Sequence, residues 1–157
     1  MSERVPALVG RGIASGFVTA AAILGMLLGM GRRSGTLWHP FNAVAHTLLG
    51  ARADGVWGFQ PDVTLTGVGV VFCMSVVAGL VTASLATSRR TLLGYAAAGG
   101  VALLGYLLHL HVIARTPGGL ASLLSIGELR ALYVVAGLTL AIGMRFAFLP
   151  RSESAQA

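Results

Sequence analysis

Four long apolar runs alternate with short polar stretches along this chain. The first, Ile13 to Met30, is interrupted only by Ser15 and Thr19. Thr66 to Thr87, Leu92 to Ile113 and Ile126 to Leu149 are the others. A hydrocarbon core about 30 Å thick takes about 20 helical residues at a rise of 1.5 Å. Each run is therefore predicted to span a membrane, at about 12–31, 65–87, 91–114 and 126–149. The one long connection runs from Arg32 to Leu65. Within it, residues 39–50 read as a short helix, with Pro40 suited to its first turn and Gly50 at its end. Phe41, Val44, Ala45, Leu48 and Leu49 give it a broad apolar surface, and Asn42 and His46, four apart, share a face. Too short to span, it is expected to be interfacial or shallowly re-entrant, with Trp38, Trp57 and Phe59 at the membrane boundary. The expected fold is all-α: one membrane domain over 1–157, an up-and-down bundle of four transmembrane helices with a short interfacial helix between helices 1 and 2.

Local signals refine this outline. Ser88-Arg89-Arg90-Thr91 is a short connection, so the second and third spans are expected to be antiparallel neighbours. Ser125-Ile126-Gly127-Glu128 is a capping box at the start of the fourth span, which gives Glu128 a structural role at the positive end of the helix dipole. Pro150 is expected to end that span, leaving a polar tail, Arg151 to Ala157. Gly12-x-x-x-Gly16 and Gly25-x-x-x-Gly29 offer small-residue faces for helix packing or self-association, and Gly99, Gly100 and Gly105 thin the third span. The first run ends in Met30-Gly31-Arg32-Arg33 and lacks a small-residue cleavage site, so it is read as a span and not as a signal peptide.

Composition agrees. The chain is 55% hydrophobic and 10% charged, with a mean hydropathy of +0.82, whereas a soluble domain carries about 25% charged residues. The net charge of +6 comes from eleven arginines placed singly or in pairs at the ends of the apolar runs. That is the placement of interfacial anchors for anionic lipid, and no basic stripe for nucleic acid exists. Counting alternate connections, six arginines fall on the side of the two chain ends and five on the other, which favours both termini inside. Cys73, the single cysteine, cannot form an internal disulfide.

All four histidines, His39, His46, His109 and His111, fall on the side opposite the termini, together with Asp54, Asp62 and Glu128. Imidazoles there are candidate ligands for a transition metal or a haem. His109 and His111, two apart, point to different sides of a helix, and His39 and His46 are two turns apart. A site would need one histidine from each segment, such as His46 with His109. Against chemistry stands the absence of a phosphate-binding glycine loop, of H-E-x-x-H, of a cysteine pair, of Ser-x-x-Lys and of an ionisable residue at mid-depth in any span. A pump, a secondary transporter and a membrane protease are disfavoured.

Gly35-Thr36-Leu37-Trp38-His39-Pro40-Phe41-Asn42-Ala43-Val44-Ala45-His46, after a glycine-rich first span, resembles a group of small, uncharacterised bacterial inner-membrane proteins with four predicted helices. The resemblance implies a bacterial inner membrane, both termini cytoplasmic and no activity to carry over. It marks Trp38, His39, Pro40, Asn42 and His46 as the residues of any family-specific site. The function expected is non-enzymatic: a structural or accessory subunit that binds a protein or lipid partner. The alternatives are a metal- or haem-binding protein built on the histidines, and a small channel or transporter.

Overall fold

The apolar runs fold as helices. A computed structural model describes residues 4–86, 91–115 and 118–146 of the chain. Among these are α1 (Arg4–Arg33), α2 (His39–Leu49), α3 (Pro61–Leu85), α4 (Thr91–His111), the single turn α5 (Leu120–Leu123) and α6 (Ile126–Phe146). The segments Val5–Arg33, Pro61–Leu85, Leu92–His111 and Ile126–Arg145 are long and apolar enough to cross a membrane. The protein is thus an all-α bundle of four long apolar helices, with a short helix between the first two. α1 begins earlier than its apolar run because Pro6 lies in its first turn, where proline is tolerated. The Ser88-Arg89-Arg90 turn, Pro150 and the 151–157 tail lie outside the described residues.

α1 is the helix on which the others assemble. It packs against α3 on one face and α6 on an adjacent one, α6 carries α4, and α2 leans on α3. Apolar side chains gain little by leaving a hydrocarbon solvent, so helices in lipid associate through close backbone approach and interhelical hydrogen bonds. Both occur on α1. Facing α3, Gly12 and Gly16 meet Gly79, where an added Cβ would collide with the Gly12 carbonyl oxygen and the Gly16 amide. Facing α6, the buried Ser15 hydroxyl donates to the Leu140 carbonyl at 2.9 Å, and a Cβ on Gly143 would stand 2.6 Å from Ser15 Cα. One turn along, the Thr139 and Thr19 hydroxyls approach to 3.3 Å, each donating back to a carbonyl of its own helix. Gly25 and Gly29, by contrast, face outward with nothing within 4 Å of an added Cβ.

Two apolar clusters fill the bundle. The larger joins Ile23, Leu27 and Met30 of α1 to Phe41 and Val44 of α2, Val71 of α3, Leu120 of α5 and Leu132 of α6. A smaller one, Ala83, Ala86 and Met144 with Leu8, closes the other end. The outer faces are apolar too: Leu103, Leu104, Leu107 and Leu108 of α4 are all exposed, as a lipid-facing helix requires.

α2 is more enclosed than an amphipathic surface helix would be. Six consecutive residues, Pro40 to Ala45, are buried, because α3 covers one flank and the 53–59 segment folds back over another. Gly67 permits the first contact, since a Cβ there would overlap the Phe41 carbonyl. Only its last turn, at Thr47 and Leu48, is exposed.

This packing predicts opposite responses to the same small change. Gly79→Ala should destabilise the protein in detergent by about 1–3 kcal/mol through overpacking, read as a lower midpoint of thermal unfolding. Gly25→Ala should be neutral or mildly stabilising, because it fills open space and raises helix propensity. Equal effects of the two would contradict the central role of the α1–α3 contact.

Candidate functional site

The segment singled out by sequence forms a closed polar network around Asn42, which is fully buried. Its Nδ2 donates to the carbonyls of Val56 and Gly58 at 2.8 and 3.0 Å. Its Oδ1 accepts from the Thr64 hydroxyl at 2.7 Å, and that hydroxyl accepts from the Gln60 amide at 3.1 Å. One amide side chain therefore ties α2 to the returning connection and to the first turn of α3. Aromatic packing reinforces it. Trp38 lies 5.0 Å from Phe59 between ring centroids, and His39 stacks on Trp57 at 4.2 Å. Pro40 is buried in the first turn of α2, and Arg52 pairs with Asp62 across the turn. With every side-chain polar atom of Asn42 engaged, this amide acts as a fastening, while the neighbouring His39 keeps a buried Nδ1 without a hydrogen-bond partner.

His46 follows one turn after Asn42. Its Nδ1 lies 2.6 Å from Asp54, and Gly118 and Gly119 press against it from the segment before α5. A Cβ on Gly118 would come 2.7 Å from His46 Cε1, and both glycines adopt positive φ, 95° and 69°. Here glycine is needed for space and for backbone conformation alike.

An open site lies elsewhere, in a cleft of about 880 Å³ between α3 and α4. These two helices are consecutive, yet their main partners are α1 and α6, so they draw apart. Buried Ile23, Leu27, Leu132 and Leu140 form the floor, and exposed Cys73, Met74, Val112 and Ile113 stand at the rim. Val44, His46 and Leu120 close one end. Thr66 and Ala78 of α3 both line the cleft, which gives it a length of about 18 Å at the helical rise. Among the described residues, no arginine, lysine, aspartate or glutamate lines it.

Of the polar residues lining this cleft, Thr19 is 2% exposed and already donates to the Ser15 carbonyl, whereas His109 is 6% exposed and only partly paired. Its Nδ1 lies 3.2 Å from the Tyr133 hydroxyl of α6, and its Nε2 is buried with no hydrogen-bond partner. Gly105, one turn before His109, makes the pairing possible, because a Cβ there would come 2.9 Å from Tyr133 Cε1. A neutral imidazole with one nitrogen occupied retains one donor or acceptor for a ligand.

Of the four histidines, His46 and His109 both line the cleft, whereas His39 and His111 do not. His39 is held by Trp57, and His111 is exposed at the end of α4. Among the described residues, no group of three or more His, Cys, Asp or Glu side chains is arranged to hold a metal ion. Glu128 is engaged locally: its carboxylate accepts from the Ser125 amide at 3.0 Å, and its own amide donates to the Ser125 hydroxyl at 3.2 Å. Sequence reasoning placed Asp54 on this side but not against His46, and it missed Tyr133, the bond of Thr64 to Asn42, and Gly118. A usable signal existed only for the last, in the turn-forming Thr116-Pro117-Gly118-Gly119.

Replacing Asn42 by Leu should orphan two carbonyls and the Thr64 hydroxyl. The expected cost is about 1–3 kcal/mol or more, with faster proteolysis in the 53–60 segment as the second readout. Burial also holds the His39 pKa below its usual 6.5. The unfolded chain binds that proton more readily than the folded one, so the stabilisation is complete above about pH 6.5 and is lost as pH falls toward the lower folded-state value. His39→Phe keeps the stacking and removes the titration, so its unfolding midpoint should fall less than the native protein's between about pH 7.5 and 5. Identical slopes would exclude His39 as a contributor. No protein-family model, curated protein or solved structure matches the chain.

Proposed function

We propose that this multi-pass membrane protein is a non-enzymatic lipid-binding protein whose site is the cleft between α3 and α4. The observation that carries this reading is the cleft's form: a buried apolar floor, an exposed apolar rim and a volume of about 880 Å³. Small-molecule sites occupy about 300–1,000 Å³ and are mostly apolar with a few placed polar groups. An opening between two spans admits a ligand from the hydrocarbon itself. Among the described residues the lining is uncharged, which speaks against an ion path, and no group of three His, Cys, Asp or Glu side chains is gathered to hold a metal. The setting we assign is a bacterial inner membrane with both termini cytoplasmic, which the six-to-five division of arginines supports.

Cys73 supplies the test, being the only cysteine and lying exposed on the rim. In mild detergent the protein should retain about one lipid, visible by native mass spectrometry. Its alkylation by an apolar maleimide should accelerate several-fold on delipidation and slow again when a lipid extract is returned. Equal alkylation rates in all three states would sink the reading. Occlusion of Cys73 by a co-purifying protein, with lipid having no effect, would replace it with an accessory-subunit role.

A further inference from the structure

On the reading of the cleft as a lipid site, we propose that its occupant is an uncharged lipid with a carbonyl oxygen in its head, a prenyl quinone, held by His109. Three observations define the head. His109 lines the cleft, is 6% exposed and has a buried Nε2 without a partner. Its other nitrogen is taken by the Tyr133 hydroxyl at 3.2 Å. A phenolic oxygen shares its lone pair with the ring and donates better than it accepts, whereas an imidazole nitrogen accepts well. The hydroxyl therefore donates to Nδ1, the imidazole proton sits on Nε2, and His109, a residue of the cleft lining, carries a buried N–H that needs an acceptor.

The lining also fixes the charge of the ligand. Among the described residues, no arginine or lysine lines the cleft to neutralise a phosphate or carboxylate, and at the closed end the Asp54 carboxylate already engages His46 Nδ1. A phosphoglyceride or a fatty acid would bury an unpaired anion, at a cost that a single N–H does not offset. A haem would use the same nitrogen, but its two carboxylates meet the same lack of cations. The His109–Tyr133 pair stands near one end of a cleft whose other end, at Ala78, Val101 and Leu140, is mostly apolar, its hydroxyls being those of Ser75 and of Thr19, which already donates to the Ser15 carbonyl. One acceptor head on one long apolar tail fits that layout, whereas diacylglycerol brings a second tail and a donor hydroxyl. Tyr133 is a positioning residue, because it acts through the imidazole.

The experiment uses the full chain, delipidated and placed in nanodiscs of phosphatidylcholine, titrated with a benzoquinone bearing a ten-carbon tail and followed by Cys73 protection. Binding should saturate at one equivalent, and His109→Leu should weaken it by about tenfold, the scale of one hydrogen bond. His109→Gln, which restores an N–H donor, should recover part of the loss, and Tyr133→Phe should weaken binding several-fold. Unchanged helicity and unchanged Cys73 reactivity without ligand certify the fold. If His109→Leu does not fold, the Gln and Phe variants decide alone. Equal quinone binding by all variants overturns the proposal. Retention of phosphatidylglycerol or diacylglycerol independent of His109 overturns it too, while leaving the lipid reading intact. Failure of every lipid to protect Cys73 removes both. A haem absorption band in protein from its own host, lost in His109→Leu, would reassign the nitrogen to iron.

Discussion

The close approach of α1 to two neighbours at once governs this bundle. Glycine contacts with α3 and the Ser15–Gly143 contact with α6 lie on adjacent faces of one helix. Each is a backbone-to-backbone fit that a single methyl group would spoil. α4 follows α6, with Ala102 against Gly137 and Gly105 against Tyr133. α3 thus belongs to α1 and α4 belongs to α6, although α3 and α4 are consecutive in the chain. The seam between them stays open as a result, and the cleft is a product of where the tight contacts are.

α2 and α5 finish the structure at one end. They contribute Val44, His46 and Leu120 to the end wall of the cleft, and their position is set by Asn42, by the Phe41–Gly67 contact and by the glycine pair under His46. Hydrogen bonds to a buried amide are directional, so they hold the wall in one place where apolar packing alone tolerates sliding. The residues that looked most like a functional motif, Trp38 to His46, are held by the hydrogen bonds and ring stacking around Asn42. The proposed ligand contact lies on α4 and α6.

The four spans were legible because run length and hydropathy answer directly to the thickness of a bilayer. Ser125 and Glu128 were legible because a capping box is complete within four residues. Gly12 and Gly16 announced a close contact, but only the fold could say that Gly79 supplies it and that Gly25 and Gly29 stand open. The enclosure of α2 was hidden, since its covering groups, Val56, Gly58, Gly118 and Gly119, come from two later segments. His109 and Tyr133, 24 residues apart on different helices, obey no spacing rule. A cleft is a place where side chains do not meet, and such a place leaves no mark in a linear pattern.

The open side of the cleft changes what affinity means for this protein. A ligand arriving from hydrocarbon leaves a solvent as apolar as the wall it enters, so burying its tail contributes little. Bulk lipid competes for the same surface at enormous concentration. On the proposed reading, discrimination then falls to a group that hydrocarbon cannot satisfy, the unpaired nitrogen of His109. Occupancy follows the mole fraction of the ligand among membrane lipids, which would make the protein a gauge of membrane composition.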